Sequence, residues 1–172
     1  MGKSPKKQAD QFVIQNHGEL ATMYTLEKEQ LVTASLEESW NFLKNPANLN
    51  LITPADLHFL IISPVPENII DGLIIEYRIS IPIFGAQRWL AEIKHIRQKK
   101  SFVDEQRIGP YTFWYHYHEL TAAPKGVKLI DRVHYAVPYG IFGRLLHSLF
   151  IKKTLERIFD YRQKKISEIL GS

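Results

Sequence analysis

A chain of 172 residues is long enough for one domain with a substantial core and short for two. With 45% hydrophobic and 23% charged residues it sits among globular proteins, which excludes wholesale disorder and a fibrous repeat. The absence of cysteine excludes a disulfide framework, a thiolate metal site and a cysteine nucleophile; it fits a reducing compartment, and a cytoplasmic location is the expectation.

The formal charge of +4 is uneven: residues 144–172 carry seven Lys or Arg against three acidic groups, which alone accounts for it. Charges there alternate in sign, as on a solvated helix face, although such a face also attracts anionic partners. The longest apolar stretch, 137–151, is interrupted by Arg144 and His147 and is too short for a membrane span. Lysines near the N-terminus are not followed by an apolar segment of the signal-peptide kind.

Residues 1–22 show no sustained hydrophobic period and are expected to form a flexible leader, with the folded domain over 23–172. From Met23 the chain alternates as a strand. Ser35 is an N-cap for a helix over 36–43, with Glu37 and Glu38 in its first turn and Glu38 in capping-box position. Asn45-Pro46 ends that helix, residues 46–51 make a second short one, and Thr53-Pro54 forces the chain extended. Six β-rich runs follow, over 57–62, 73–81, 87–96, 102–108, 112–121 and 127–137, separated by short turns. Short links predict antiparallel pairing. After Pro138 the apolar residues fall three and four apart through Leu170, predicting one long amphipathic helix. The expected fold class is α+β, a seven-stranded curved antiparallel sheet wrapped around that helix.

This order, together with Trp40 and Phe42, Ile52-Thr53-Pro54, Asp104-Glu105-Gln106, Gly109-Pro110-Tyr111, Trp114-Tyr115-His116-Tyr117-His118, Asp131-Arg132-Val133 and Phe159-Asp160-Tyr161-Arg162, resembles the helix-grip proteins of the SRPBCC, START and Bet v 1-like superfamily. It is similar in particular to bacterial members related to polyketide cyclases and dehydrases. The likeness covers residues 24–170 and implies an internal cavity for a small apolar ligand. A superfamily of carriers, receptors and cyclases implies no single reaction.

Strand alternation puts Trp114, His116 and His118 on one face, Asp104 with Gln106, and Asp131 with Tyr135. Gathered inside, His116 or His118 oriented by Asp104 or Asp131 would be a general acid or base. Alternatively these groups satisfy one another in a partly wet cavity, or the parity is reversed by a bulge and the histidines face solvent. Two imidazoles and a carboxylate also suffice to ligate zinc or iron; with no third histidine at a familiar offset, no metal and no cofactor are assigned. Arg162 lies on the apolar stripe of the last helix, where a charge needs a partner: it would bind a ligand carboxylate, pair with Asp131 or Asp104, or reach the rim with its stem buried.

The candidate ligand-binding residues are therefore Tyr77, Trp89, Gln106, Trp114, His116, His118, Asp131, Tyr135 and Arg162. The leading reading is a non-catalytic carrier or sensor of a small hydrophobic, aromatic or lipid-like molecule. The alternatives are a cyclase or dehydratase using the cavity histidines, and a helper domain docking on a partner or membrane through its basic C-terminal helix. Nothing in the sequence matches a serine-hydrolase elbow, a phosphate loop or a dinucleotide fingerprint, and nucleic acid is not an expected partner.

Overall fold

The computed structural model describes residues 13–16, 19–82 and 85–172. In chain order these form β1 (Val13–Asn16), β2 (Glu19–Val32), α1 (Leu36–Leu43), 3-10 turns at Pro46–Asn50 and Ala55–Leu57, β3 (Leu60–Ile61), β4 (Ile74–Ile81), β5 (Gly85–Arg97), β6 (Ser101–Ile108), β7 (Phe113–Ala123) and β8 (Gly126–Ala136). The chain closes with α2 (Gly140–Leu146), a π-helical turn at His147–Ile151, and α3 (Lys152–Leu170), which run on as one long helix.

Every strand pair is antiparallel, in the order β1-β2-β8-β7-β6-β5-β4-β3. The first long strand, β2, thus lies beside the last, as closing a curved sheet around a helix requires. Seven of these strands are the expected ones. The eighth, β1, pairs with the start of β2 inside the segment read as a leader, so 13–16 and 19–22 belong to the sheet. That hairpin arm lacks the alternation that marks β2 from Met23 onward, where pairing with β8 begins at Ala136. The remainder of the leader expectation falls outside the described residues. β3 is shorter than expected because Ala55–Leu57 turns as a 3-10 helix and His58 takes a left-handed conformation, φ 44°.

Ser35 caps α1 as the sequence predicts: its side chain accepts from Glu38 N–H, and the Glu38 carboxylate accepts from Ser35 N–H at 2.9 Å. The long helix lays Ile151, Leu155, Phe159 and Ile166 on the concave face of the sheet, all buried. Its outer rim is tied to β2 by Lys28 to Asp160 at 2.5 Å and by the Gln163 amide donating to the Glu29 carbonyl at 2.9 Å. Its end is fixed by Ala34 N–H donating to Leu170 O at 2.9 Å. Gly143 is packed against the segment that precedes the helix: a Cβ built there would lie 1.9 Å from Pro138 O. The missing side chain is what allows this close approach.

Candidate functional site

The inward face of β7 is Trp114, His116 and His118, all buried, while Phe113, Tyr115 and Tyr117 are more exposed. The parity left open by the sequence is therefore the one that brings the histidines inside. Asp104 on β6 pairs with His116, and His118 pairs with Asp131 on β8. Cross-strand neighbours on one face sit about 5 Å apart, so these three strands assemble a polar cluster in an otherwise apolar core.

The hub is Asp131. Its Oδ1 accepts from His116 Nε2 at 2.8 Å and from His118 Nδ1 at 3.0 Å, and Arg162 Nη1 lies 3.8 Å away. Burial alone would raise the Asp131 pKa, but hydrogen bonds from both imidazoles and the Arg162 charge hold it well below the usual carboxylate range. Burial, reinforced by His118, lowers His116 to about 3. A neutral His116 imidazole donating to an ionised Asp131 carboxylate is the consistent assignment. A base this weak captures little proton at neutral pH, so the His116–Asp131 pair holds geometry better than it moves protons. Asp104 behaves oppositely: burial raises its pKa against the pull of His118 and Arg162. Its Oδ1 is buried and finds no hydrogen-bond partner among the described residues.

Two adjoining cavities meet at this cluster. The larger offers about 110 Å³ to the centre of a water-sized sphere and is walled by Tyr77, Trp89, Tyr111, Trp114, Leu155 and Phe159, with Asp104, His116 and Arg162 at its polar side. The smaller, about 30 Å³, lies toward α1 and shares Tyr77, Asp104 and Arg162 while adding His118 and Phe102. The walls are aromatic on aromatic: Trp89 meets Trp114 edge-on at 5.1 Å between centroids and stacks on Tyr77 at 5.7 Å. Trp89 Nε1 is a second buried group with no partner among the described residues.

Of the candidates read from sequence, Tyr77, Trp89, Trp114, His116, His118 and Arg162 line these cavities. Asp131 stands directly behind the histidines. Two are placed elsewhere. Gln106 spans the 109–111 turn, donating from Nε2 to Tyr111 O at 2.7 Å and accepting from Tyr111 N–H at 3.3 Å. A turn so close to the strand end captures the amide before it reaches the cavity. Tyr135 reaches the long helix instead, its hydroxyl 2.8 Å from His147 Nε2. The π-helical turn brings His147 inward, where it also stacks on Tyr24 at 3.4 Å. Burial, then Lys152, lowers His147 to about 4. Tyr111, Phe59 and Phe159 are cavity walls that the sequence did not assign as such; Tyr111 and Phe159 entered only through the family resemblance.

As a donor set, Asp104, His116 and His118 each present a ligand atom within 4.8 Å of the others.

No family model and no curated protein sequence matches the chain. Solved structures do. A protein from Chromobacterium violaceum superposes with a TM-score of 0.63 at 11% identity, over 86% of this chain and 98% of that one. Ginseng major latex-like protein 151 from Panax ginseng gives 0.62 at 12%, over 86% and 97%. The nucleoside-diphosphate sugar epimerase from Corynebacterium glutamicum gives 0.59 at 18%, over 83% of this chain but 28% of the epimerase. At these identities the likeness speaks for architecture alone, and the architecture is a helix grip, a curved antiparallel sheet around a long C-terminal helix.

Proposed function

We propose that the protein is a carrier or sensor that binds a small apolar or aromatic molecule between the sheet and the long helix. The observation that carries this reading is the aromatic cavity itself, with polar groups confined to one side, the usual make-up of a small-molecule site. Its size bounds the ligand: an engineered apolar cavity of about 150 Å³ takes a single benzene ring, so the about 110 Å³ found here suits a one-ring or short-chain compound. A long lipid would need the helix to move outward. The low basicity of His116 weighs against the cyclase or dehydratase alternative.

Native mass spectrometry of protein purified from its own host, followed by denaturing extraction, tests the reading. A stoichiometric small apolar compound supports it; an empty protein that also ignores a panel of one-ring compounds contradicts it.

A docking role alongside carriage is favoured by the start of the long helix. Tyr139, Ile141 and Phe142 are 71%, 73% and 77% exposed, and Leu145, Leu149 and Phe150 are about half exposed. From 137 to 155 the chain has no acidic residue, while Arg144, Lys152 and Lys153 are present. Aromatic and aliphatic side chains beside cations that form no ion pair among the described residues match an anionic lipid surface. Flotation with phosphatidylserine vesicles, lost in Phe142→Glu, is the expected result; equal recovery with neutral vesicles, or a dimer burying this face, contradicts it.

A further inference from the structure

The polar side of the cavity has the composition of a metal centre. Asp104 and His116 are paired across β6 and β7, His118 follows two residues along the same face, and one donor atom from each lies within 4.8 Å of the others. The contacts to Asp131 decide which ring nitrogens remain free. A carboxylate oxygen only accepts, so His116 donates through Nε2 and His118 through Nδ1. His116 Nδ1 and His118 Nε2 are then the ring nitrogens that do not contact Asp131. A carboxylate that fixes imidazole tautomers from behind is the usual outer shell of histidine metal ligands.

Asp104 supplies the second indication. Its buried Oδ1 has no hydrogen-bond partner among the described residues, an arrangement that is costly unless something else satisfies the oxygen. Arg162 approaches Asp131 at 3.8 Å and, among the described residues, forms no ion pair with Asp104. Two imidazole nitrogens and one carboxylate suit first-row divalent ions better than calcium or magnesium, which prefer all-oxygen sites.

We propose that Asp104, His116 and His118 bind one first-row divalent transition-metal cation, with Asp131 holding the two imidazoles from behind and the open coordination positions facing the cavity. Asp104 lines both compartments, His118 the smaller and His116 the larger, so a cation here stands at their junction. An oxygen-bearing ligand in either compartment has direct access to it.

The test uses the untagged full chain, stripped with chelator and titrated with Co²⁺ in the visible spectrum and with Zn²⁺ by calorimetry. About one equivalent is expected, with ligand-field bands of nitrogen and oxygen coordination. Affinity should fall roughly 10- to 100-fold in Asp131→Asn, as for outer-shell partners elsewhere, and further in Asp104→Asn and His118→Gln. Circular dichroism checks that each variant is folded. If a variant is not, paramagnetic shifts of the His116 and His118 ring protons in cobalt-loaded wild type decide: shifted resonances support the site and unshifted ones overturn it. Folded wild type that takes up no stoichiometric metal overturns the proposal, as does uptake unchanged by both Asp104→Asn and His118→Gln. The readout is the metal alone, so an empty cavity in the ligand experiment leaves this result standing, and the reverse.

Discussion

His116 Nε2 and His118 Nδ1, two residues apart on β7, converge on one oxygen, Asp131 Oδ1, at 2.8 and 3.0 Å. Removing that acceptor leaves two buried donors and the neighbouring Arg162 charge uncompensated. Asp131→Ala is therefore expected to destabilise by about 3–5 kcal/mol, read from denaturant unfolding with an unchanged m-value. A loss within about 0.5 kcal/mol, the range of surface substitutions, would show that the network does not form.

The buried imidazoles of this network and of the Tyr135–His147 contact predict acid sensitivity. Both His116 and His147 are depressed in the fold, to about 3 and about 4, from an ordinary value near 6.5. The unfolded chain therefore binds more protons, and the stability these groups contribute is complete above about pH 6.5 and is lost as pH falls toward their folded values. Asp131, also depressed, adds a loss in the same direction at lower pH. The thermal midpoint should fall between about pH 6.5 and about pH 4, less steeply in His116→Gln. A midpoint flat over that interval contradicts the burial of these imidazoles in neutral form.

Much of this arrangement was legible in the sequence. Alternation in 112–121 named the two faces of β7, and Ser35 with Glu38 marked the start of the first helix. What alternation could not give was which face turns inward; that follows from the registers with β6 and β8. Gln106 shows the limit of parity reasoning. It shares a face with Asp104, yet the nearby backbone of Tyr111 takes up both ends of its amide. Tyr135 and His147 show another: a π-helical turn shifts the helix phase, and no spacing rule written for a uniform helix anticipates that contact.

Gly143 offers a packing test. Its missing side chain admits Pro138 O, 1.9 Å from where a Cβ would stand, and that neighbour is backbone. Gly143→Ala is expected to cost about 2 kcal/mol or more through overpacking, despite alanine's better helix propensity. Gly140, at φ +49°, gives a second site where alanine should also destabilise. A stabilised Gly143→Ala in thermal unfolding would refute the close approach.

Trp89 separates packing from hydrogen bonding. Its indole N–H is buried without a partner among the described residues, so Trp89→Phe removes an unsatisfied donor along with some ring volume. The two effects oppose, and a net stability change of about 1 kcal/mol or less is expected, with a larger change in affinity for a ligand bearing an acceptor. Equal affinity of wild type and variant for such a ligand would place the ligand away from Trp89.

The claim that the space between sheet and helix is the binding site is tested most directly by filling it. Thr154 lines the larger cavity from a half-buried position on the helix, so Thr154→Trp can occupy the space with little disturbance to the sheet. Wild type and this variant, expressed side by side in the native host, are compared by native mass spectrometry. A bound small molecule is expected on the wild type and none on a Thr154→Trp protein of unchanged circular dichroism; the same molecule retained at equal occupancy by the folded variant would place the binding site elsewhere.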